Sequence, residues 1–347
     1  MNDIFDLTDD TLDFQPQEYP FLQELNPQQK EAVKTTEGPL LVLSGAGTGK
    51  TRVLTTRIAY IIAQRLAFPW EILAVTFTNK AAREMQERLC AMIGGEAASV
   101  WLGTFHRIGV RILNKHSTEA GLQPNFIIVS TDDSERLLKN IMTEMGLDTK
   151  KHKPSIALDI ISSWKDKGYL PETIPAGLKT TFAMNKMEDI YQIYQTKLKD
   201  MNAVDFGDLL LLPLILFQKN PEILSFYQRQ FKYILVDEYQ DTNMVQSLLL
   251  RLLAQVHRNI CCVGDDDQSI YSWRGAEVEN ILQFSNIFPE AKIIRLEQNY
   301  RSTPQILACA SALISHNNGR LGKNLYVADG RAVIGDKVGL TGYWNGL

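Results

Sequence analysis

Short continuous apolar runs alternate along this chain with stretches whose apolar positions recur three or four residues apart. The runs are Leu40 to Leu43, Ile72 to Phe77 with Thr76 inside it, Val100 to Leu102, Tyr233 to Val236, Ile260 to Val263 and, interrupted by Arg295, Ile293 to Leu296. Runs without internal alternation read as strands buried on both faces, the signature of a parallel sheet. After the first run, Val53, Leu54, Ile58, Ile61 and Ile62 fall on one face of a helix, and after the second Ala82, Met85, Leu89 and Met92 do the same. Asn26 before Pro27 predicts the cap and first turn of a short leading helix. Alternating strand and helix predicts an α/β fold with a parallel, doubly wound sheet. From 117 to 203 strands nearly vanish, and the segment reads as an inserted helical subdomain. The α/β unit is therefore expected in two pieces, 25–116 and 204–302.

Each run ends in a polar cluster. In open α/β sheets ligands bind outside the carboxyl ends of the strands, so the clusters belong to one edge. The first is Ser44-Gly45-Ala46-Gly47-Thr48-Gly49-Lys50-Thr51. Strand, glycine-rich turn and helix in that order form the context of a P-loop. Backbone N–H groups would cradle phosphate oxygens, Lys50 would reach the β- and γ-phosphates, and the Thr51 hydroxyl would bind Mg²⁺. Ser44 stands where the strict pattern has glycine.

Composition changes this picture little. The chain has 347 residues, enough for two or three domains, with 45% hydrophobic and 22% charged residues, as in ordinary globular proteins. The longest apolar run, Leu209 to Phe217, is broken by Pro213 and too short to span a bilayer, so no membrane partner is expected. No basic and apolar leader opens the chain. Cys90, Cys261, Cys262 and Cys309 lack metal-site spacing and read as buried thiols in a reducing, cytoplasmic setting. Net charge is −4, but residues 1–24 carry seven acids and no Lys or Arg, which leaves +3 for the rest. Residues 1–24 read as a disordered acidic tail. Any nucleic-acid surface is then a local groove and not a global field.

The remaining clusters carry chemistry. In Asp237-Glu238-Tyr239-Gln240-Asp241, Asp237 would hold the metal shared with Thr51, and Glu238 would orient or deprotonate the attacking water. Gln268, in Gly264-Asp265-Asp266-Asp267-Gln268, can donate and accept between a γ-phosphate and a water. Tyr271 and Trp273 beside Arg274 are what base stacking needs. Arg301, after Tyr300, can serve as an arginine finger. Phe77, Asn79 and Lys80, with Thr104, Phe105 and His106, form two more polar-aromatic strand ends suited to single-stranded nucleic acid.

With these clusters in order, the chain resembles the superfamily 1 DNA helicases of the UvrD/PcrA/Rep group. The matching stretches are SGAGTGKT, AVTFTNKAAREM, GTFHRIGVRIL, VDFGDLL, VDEYQDT, GDDDQSIYSWRGA and LEQNYRST. The resemblance implies a RecA-like P-loop NTPase fold with a helical insertion, binding ATP and Mg²⁺. It implies that Gln29 reads adenine, that Arg52 and Tyr300 flank the base, and that Phe77, Tyr271 and Trp273 contact single-stranded DNA. It further implies ATP-driven 3′→5′ translocation, unwinding of 3′-tailed duplexes, and partners among DNA-repair proteins. Members of the group continue into a second RecA-like domain that supplies the other wall of the ATP cleft, and 303–347 looks like its beginning. Two other readings are an ATPase of a recombination helicase–nuclease and an ATP- and DNA-binding module that does not unwind.

Overall fold

The computed structural model describes residues 19–272, 275–317, 319–327, 337–339 and 341–342. Ten strands lie among them: β1 (Leu40–Ser44), β2 (Ile72–Thr76), β3 (Trp101–Thr104), β4 (Ile127–Ile128), β5 (Ala203–Val204), β6 (Tyr233–Val236), β7 (Ile260–Gly264), β8 (Lys292–Leu296), β9 (Gln298–Asn299) and β10 (Tyr326–Val327). Six of them form one sheet in the order β3-β2-β6-β7-β1-β8, every pair parallel. The expected α/β architecture is present, and β1 sits inside the sheet between β7 and β8.

The continuous apolar runs divide their side chains between two cores. Leu41, Leu43, Leu73, Val75, Ile234, Val236, Ile260 and Cys262 face one cluster, and Leu40, Val42, Ile72, Ala74, Leu235, Cys261 and Val263 face the other. This is the period-2 alternation of a strand with an apolar partner on each side. Helices Lys50–Ala63 and Asn79–Ile93 cover one face. Phe105–Lys115, Asp208–Lys219, Pro221–Gln230 and Met244–Leu253 cover the other. Each fully buried Leu, Ile or Val contributes about 1.5–3 kcal/mol relative to exposure. The bent pair Asp208–Lys219 and Pro221–Gln230 is part of this packing, and among the described residues no single helix is long and apolar enough to cross a membrane. A Cβ on Gly109 would lie 1.9 Å from the Leu209 carbonyl oxygen, so only glycine lets these two helices approach so closely.

Helices Thr131–Glu144, Pro154–Asp166 and Met187–Asp200 gather a separate core around Ile141, Ile161, Trp164, Tyr191 and Tyr194. The segment is not strand-free: β4 pairs with β5 through Ile127↔Ala203 and Ile128↔Val204. A buried charge cluster ties it to the sheet's helices. Lys165 Nζ lies 2.7 Å from Asp205 Oδ2 and 2.7 Å from Asp208 Oδ1. The two aspartates also cap each other's backbone N–H groups, at 3.1 and 2.9 Å, and Tyr194 donates to Asp205 at 3.0 Å. Burial and the neighbouring Asp205 push the Asp208 carboxyl up.

Two expectations are corrected here. Residues 19–24 are ordered: Pro20–Gln23 is a helical turn, Leu22 is buried, and Tyr19 stacks on Phe21 at 5.2 Å. Their aromatic and aliphatic side chains outweigh the acids around them, while residues 1–18 of the expected tail lie outside the described residues. Cys261 and Cys262 are buried in β7, but Cys90 and Cys309 are exposed.

Candidate active site

β1 delivers the glycine-rich loop. Ser44 ends the strand fully buried, its hydroxyl 2.6 Å from Thr48 Oγ1. Thr48 donates to the Gly45 carbonyl at 2.9 Å, so the proton between the two hydroxyls belongs to Ser44. The residue that departs from the strict glycine pattern therefore closes the loop. Gly47 and Gly49 hold φ of 72° and 89°, a region glycine occupies without strain. A Cβ on Gly47 would lie 2.6 Å from Arg301 Cβ, and one on Gly49 2.8 Å from Gln29 Nε2. The helix Lys50–Ala63 starts at once, so its open N–H groups and positive end lie at the loop.

β6 and β7 bring the acids. Lys50 Nζ lies 3.2 Å from Glu238 Oε2. Glu238 has φ of 50°, a left-handed conformation that costs a non-glycine residue on the order of 1–3 kcal/mol and here aims the carboxylate at Lys50. Burial, followed by Glu238, pushes the Asp237 carboxyl up to about 7, with Lys50 opposing. Burial and Glu238 likewise raise Asp241 to about 6, and its Oδ1 is buried without a hydrogen-bond partner. Gln240 is buried, donates to Glu238 Oε2 at 2.8 Å and accepts from the Asp265 N–H at 2.9 Å. It bridges the end of β6 to the end of β7. Gln268 donates to Asp265 Oδ2.

The leading helix Pro27–Lys34 and β9 close the other side. Asn26 and Gln29 form the capping box that opens the helix. Gln29 Nε2 also donates to the Thr48 carbonyl at 2.8 Å. The amide expected to read adenine thus anchors the loop, with one N–H and one lone pair left over. Buried Arg57 donates to the carbonyls of Ala32, Thr35 and Thr36, holding the C-terminal end of the same helix. The Tyr300 hydroxyl meets Asn26 Nδ2 at 2.9 Å and Gln298 at 3.0 Å. Asn299 donates to the Ala46 carbonyl at 2.6 Å. Arg301 is exposed with its Cβ over Gly47, and Arg52 pairs with Glu24.

The strand ends proposed for nucleic acid separate into two groups. Phe77 and Tyr271, from different strand ends, bring their rings to 4.9 Å with a 30° tilt. Asn79 opens the helix Asn79–Ile93 and is exposed. The Thr104 hydroxyl instead caps Phe105–Lys115, accepting from the Arg107 N–H at 3.3 Å, and Phe105 packs against the core. Both serve the fold in this structure. His106 packs edge-on to Phe206 at 5.9 Å. Trp273 and Arg274 lie outside the described residues.

Asn26 caps the helix Pro27–Lys34 as its sequence position predicts, while sequence reasoning gave Gln240, Asp241 and Asn299 no role. Gln240 and Asp241 stood in the acidic run, but a strand-end pattern does not show which side chains turn inward. The charged groups around Lys50 are the carboxylates of Asp237, Glu238 and Asp241. Three acids against one lysine, and an unpartnered buried carboxylate oxygen, suit a hard divalent cation.

The sequence profile of the UvrD/REP helicase N-terminal domain matches residues 25–289. A probable DNA helicase II homolog of Rickettsia felis is 51% identical over 327 residues, which is 94% of this chain and 49% of that protein. DNA helicase II of Rickettsia typhi is 53% identical over 309 residues, 88% of this chain and 47% of the relative. The ATP-dependent DNA helicase PcrA of Bacillus subtilis is 48% identical over 312 residues, 90% of this chain and 42% of the relative. The chain spans about half the length of the curated relatives it matches.

Proposed function

The chain belongs to the UvrD/REP helicase family through its N-terminal domain, and from that premise we propose that it is the ATP-binding motor half of a 3′→5′ DNA helicase acting on single-stranded and 3′-tailed DNA. The observation that carries the reading is the Lys50–Glu238 pair at 3.2 Å between the glycine-rich loop and β6, with Asp237 and Asp241 buried beside it. The relatives' names point the same way, since one is an ATP-dependent DNA helicase.

Each residue then has a task. Gly45 to Lys50 receive the phosphates through backbone N–H groups and the Lys50 ammonium. Thr51 and Asp237 would hold Mg²⁺, which supplies charge neutralisation on the phosphates. Glu238, released from Lys50 when phosphate takes the ammonium, orients and deprotonates the attacking water. Gln268 contacts the γ-phosphate, Arg301 offers positive charge to the transferring phosphoryl group, and Tyr300 and Arg52 flank the base. Asn79, His106, Phe77, Tyr271, Trp273 and Arg274 face single-stranded DNA, with the rings stacking on bases. The 25–116 and 204–302 segments form the RecA-like unit, 117–203 the insertion, and 303–347 the start of a second unit.

Phe77→Ala is expected to weaken binding of a labelled single-stranded oligonucleotide by about 1–3 kcal/mol, the stacking of one base. Fluorescence anisotropy reads this, with nucleotide affinity as the companion measurement. Unchanged oligonucleotide affinity would contradict the DNA assignment. Polarity is tested separately, by comparing 3′-tailed with 5′-tailed duplexes.

A further inference from the structure

The stretch 319–327 runs beside the proposed nucleotide edge and is tied to it at many points. β10 pairs with β9 in parallel, Tyr326 opposite Gln298. Arg295 donates to the Gly322 carbonyl at 3.0 Å and the Leu321 carbonyl at 3.3 Å, and the Asn324 N–H donates to Glu297 at 2.7 Å. This places Lys323 against the end of β7. It is buried, and its ammonium lies 2.6 Å from Asp265 Oδ1, 2.9 Å from Asp266 Oδ1 and 2.7 Å from Asp267 Oδ2. Arg320 adds a two-pronged contact to Asp267, at 2.8 and 2.6 Å. Burial alone would lower the Lys323 pKa, but the three facing carboxylates outweigh it and raise it.

The arrangement divides the two oxygens of Asp265. Oδ1 receives Lys323 and the Asp267 N–H, the latter at 3.1 Å, while Oδ2 receives the Gln268 amide. The backbone N–H of Asp265 is fixed by Gln240, which also holds Glu238. Three adjacent carboxylates without a cation would repel one another and turn outward.

We infer that Lys323 is a positioning residue for the nucleotide site: by bridging Asp265, Asp266 and Asp267, with Arg320 adding a second positive charge at Asp267, it fixes the β7 loop and presents Gln268 to the γ-phosphate. The inference rests on the nucleotide reading of Gln268. Lys323 itself touches no substrate. Through it the segment beyond helix Pro304–Ile314 bears on whether a triphosphate is told from a diphosphate.

The test compares fluorescent ADP with a fluorescent non-hydrolysable ATP analogue in Mg²⁺ on the full chain. Lys323→Met is expected to lose about tenfold of the triphosphate preference, the scale of one hydrogen bond to a charged group, with diphosphate affinity unchanged. Lys323→Arg keeps the charge and is expected to restore most of that preference. Amide exchange at 265–268 should speed up in the Met variant before any nucleotide is added. Should Lys323→Met not fold, Lys323→Gln removes the charge but keeps a polar donor facing Asp265, Asp266 and Asp267, and is expected to shift preference and exchange in the same direction. Unchanged exchange at 265–268, retained preference in Lys323→Met, or an equal fall in both affinities overturns the proposal. Full triphosphate preference in Gln268→Ala overturns the nucleotide reading beneath it instead.

Discussion

Glu238→Gln is expected to cut ATP turnover by about 10²–10⁴-fold, the usual contribution of a positioned general base. Nucleotide binding should survive or tighten. In the wild type Lys50 pairs with Glu238 at 3.2 Å, so phosphate must compete for the ammonium. The neutral amide keeps the shape but releases that competition, and Gln240, now donating to Glu238, still finds an oxygen acceptor. Single-turnover hydrolysis with pre-bound nucleotide separates the two effects. Turnover within a few-fold of wild type would remove Glu238 from the chemistry and leave it as the lysine's resting partner.

Lys165→Met is expected to destabilise the fold by about 3–5 kcal/mol, the cost of breaking a buried charge pair from one side. Lys165 is 1% exposed and carries both Asp205 and Asp208. Without it two carboxylates remain buried beside each other, and their folded pKa values rise above those of the unfolded chain. Stability contributed by the protonated forms is present at low pH and lost as pH rises through the folded values. The variant should therefore lie closest to wild type near pH 5 and furthest from it above pH 7, by urea unfolding. A pH-independent difference below about 1 kcal/mol would show that the cluster contributes no more than a surface pair.

The strand, glycine loop and helix at β1 were legible because three kinds of signal coincided there. Leu40 to Leu43 could only be a strand buried on both faces, the glycines marked the turn, and the apolar period after Lys50 marked the helix. Asp237 and Glu238 followed from the same logic on β6. What stayed hidden were partners distant in sequence. Lys323 had no local pattern, and its contacts with Asp265, Asp266 and Asp267 exist only because β10 returns to β9 and brings the chain to the end of β7. Gln240 and Asp241 were in view, but their inward orientation depends on the left-handed backbone at Glu238, a residue type that does not announce it. At Thr104 the pattern allowed two tasks: a polar residue before a helix fits a cap as well as a ligand site, and its hydroxyl makes the cap.

The central claim is that the loop between β1 and its helix binds the phosphates of a magnesium nucleotide through Lys50. Titration of a fluorescent ATP analogue in Mg²⁺ against wild type and Lys50→Ala tests it most directly. Loss of a charge-assisted contact of about 1.5–3 kcal/mol predicts an affinity lower by roughly 10- to 100-fold, with the folded state intact by circular dichroism. Equal affinity in the two folded proteins would contradict the account.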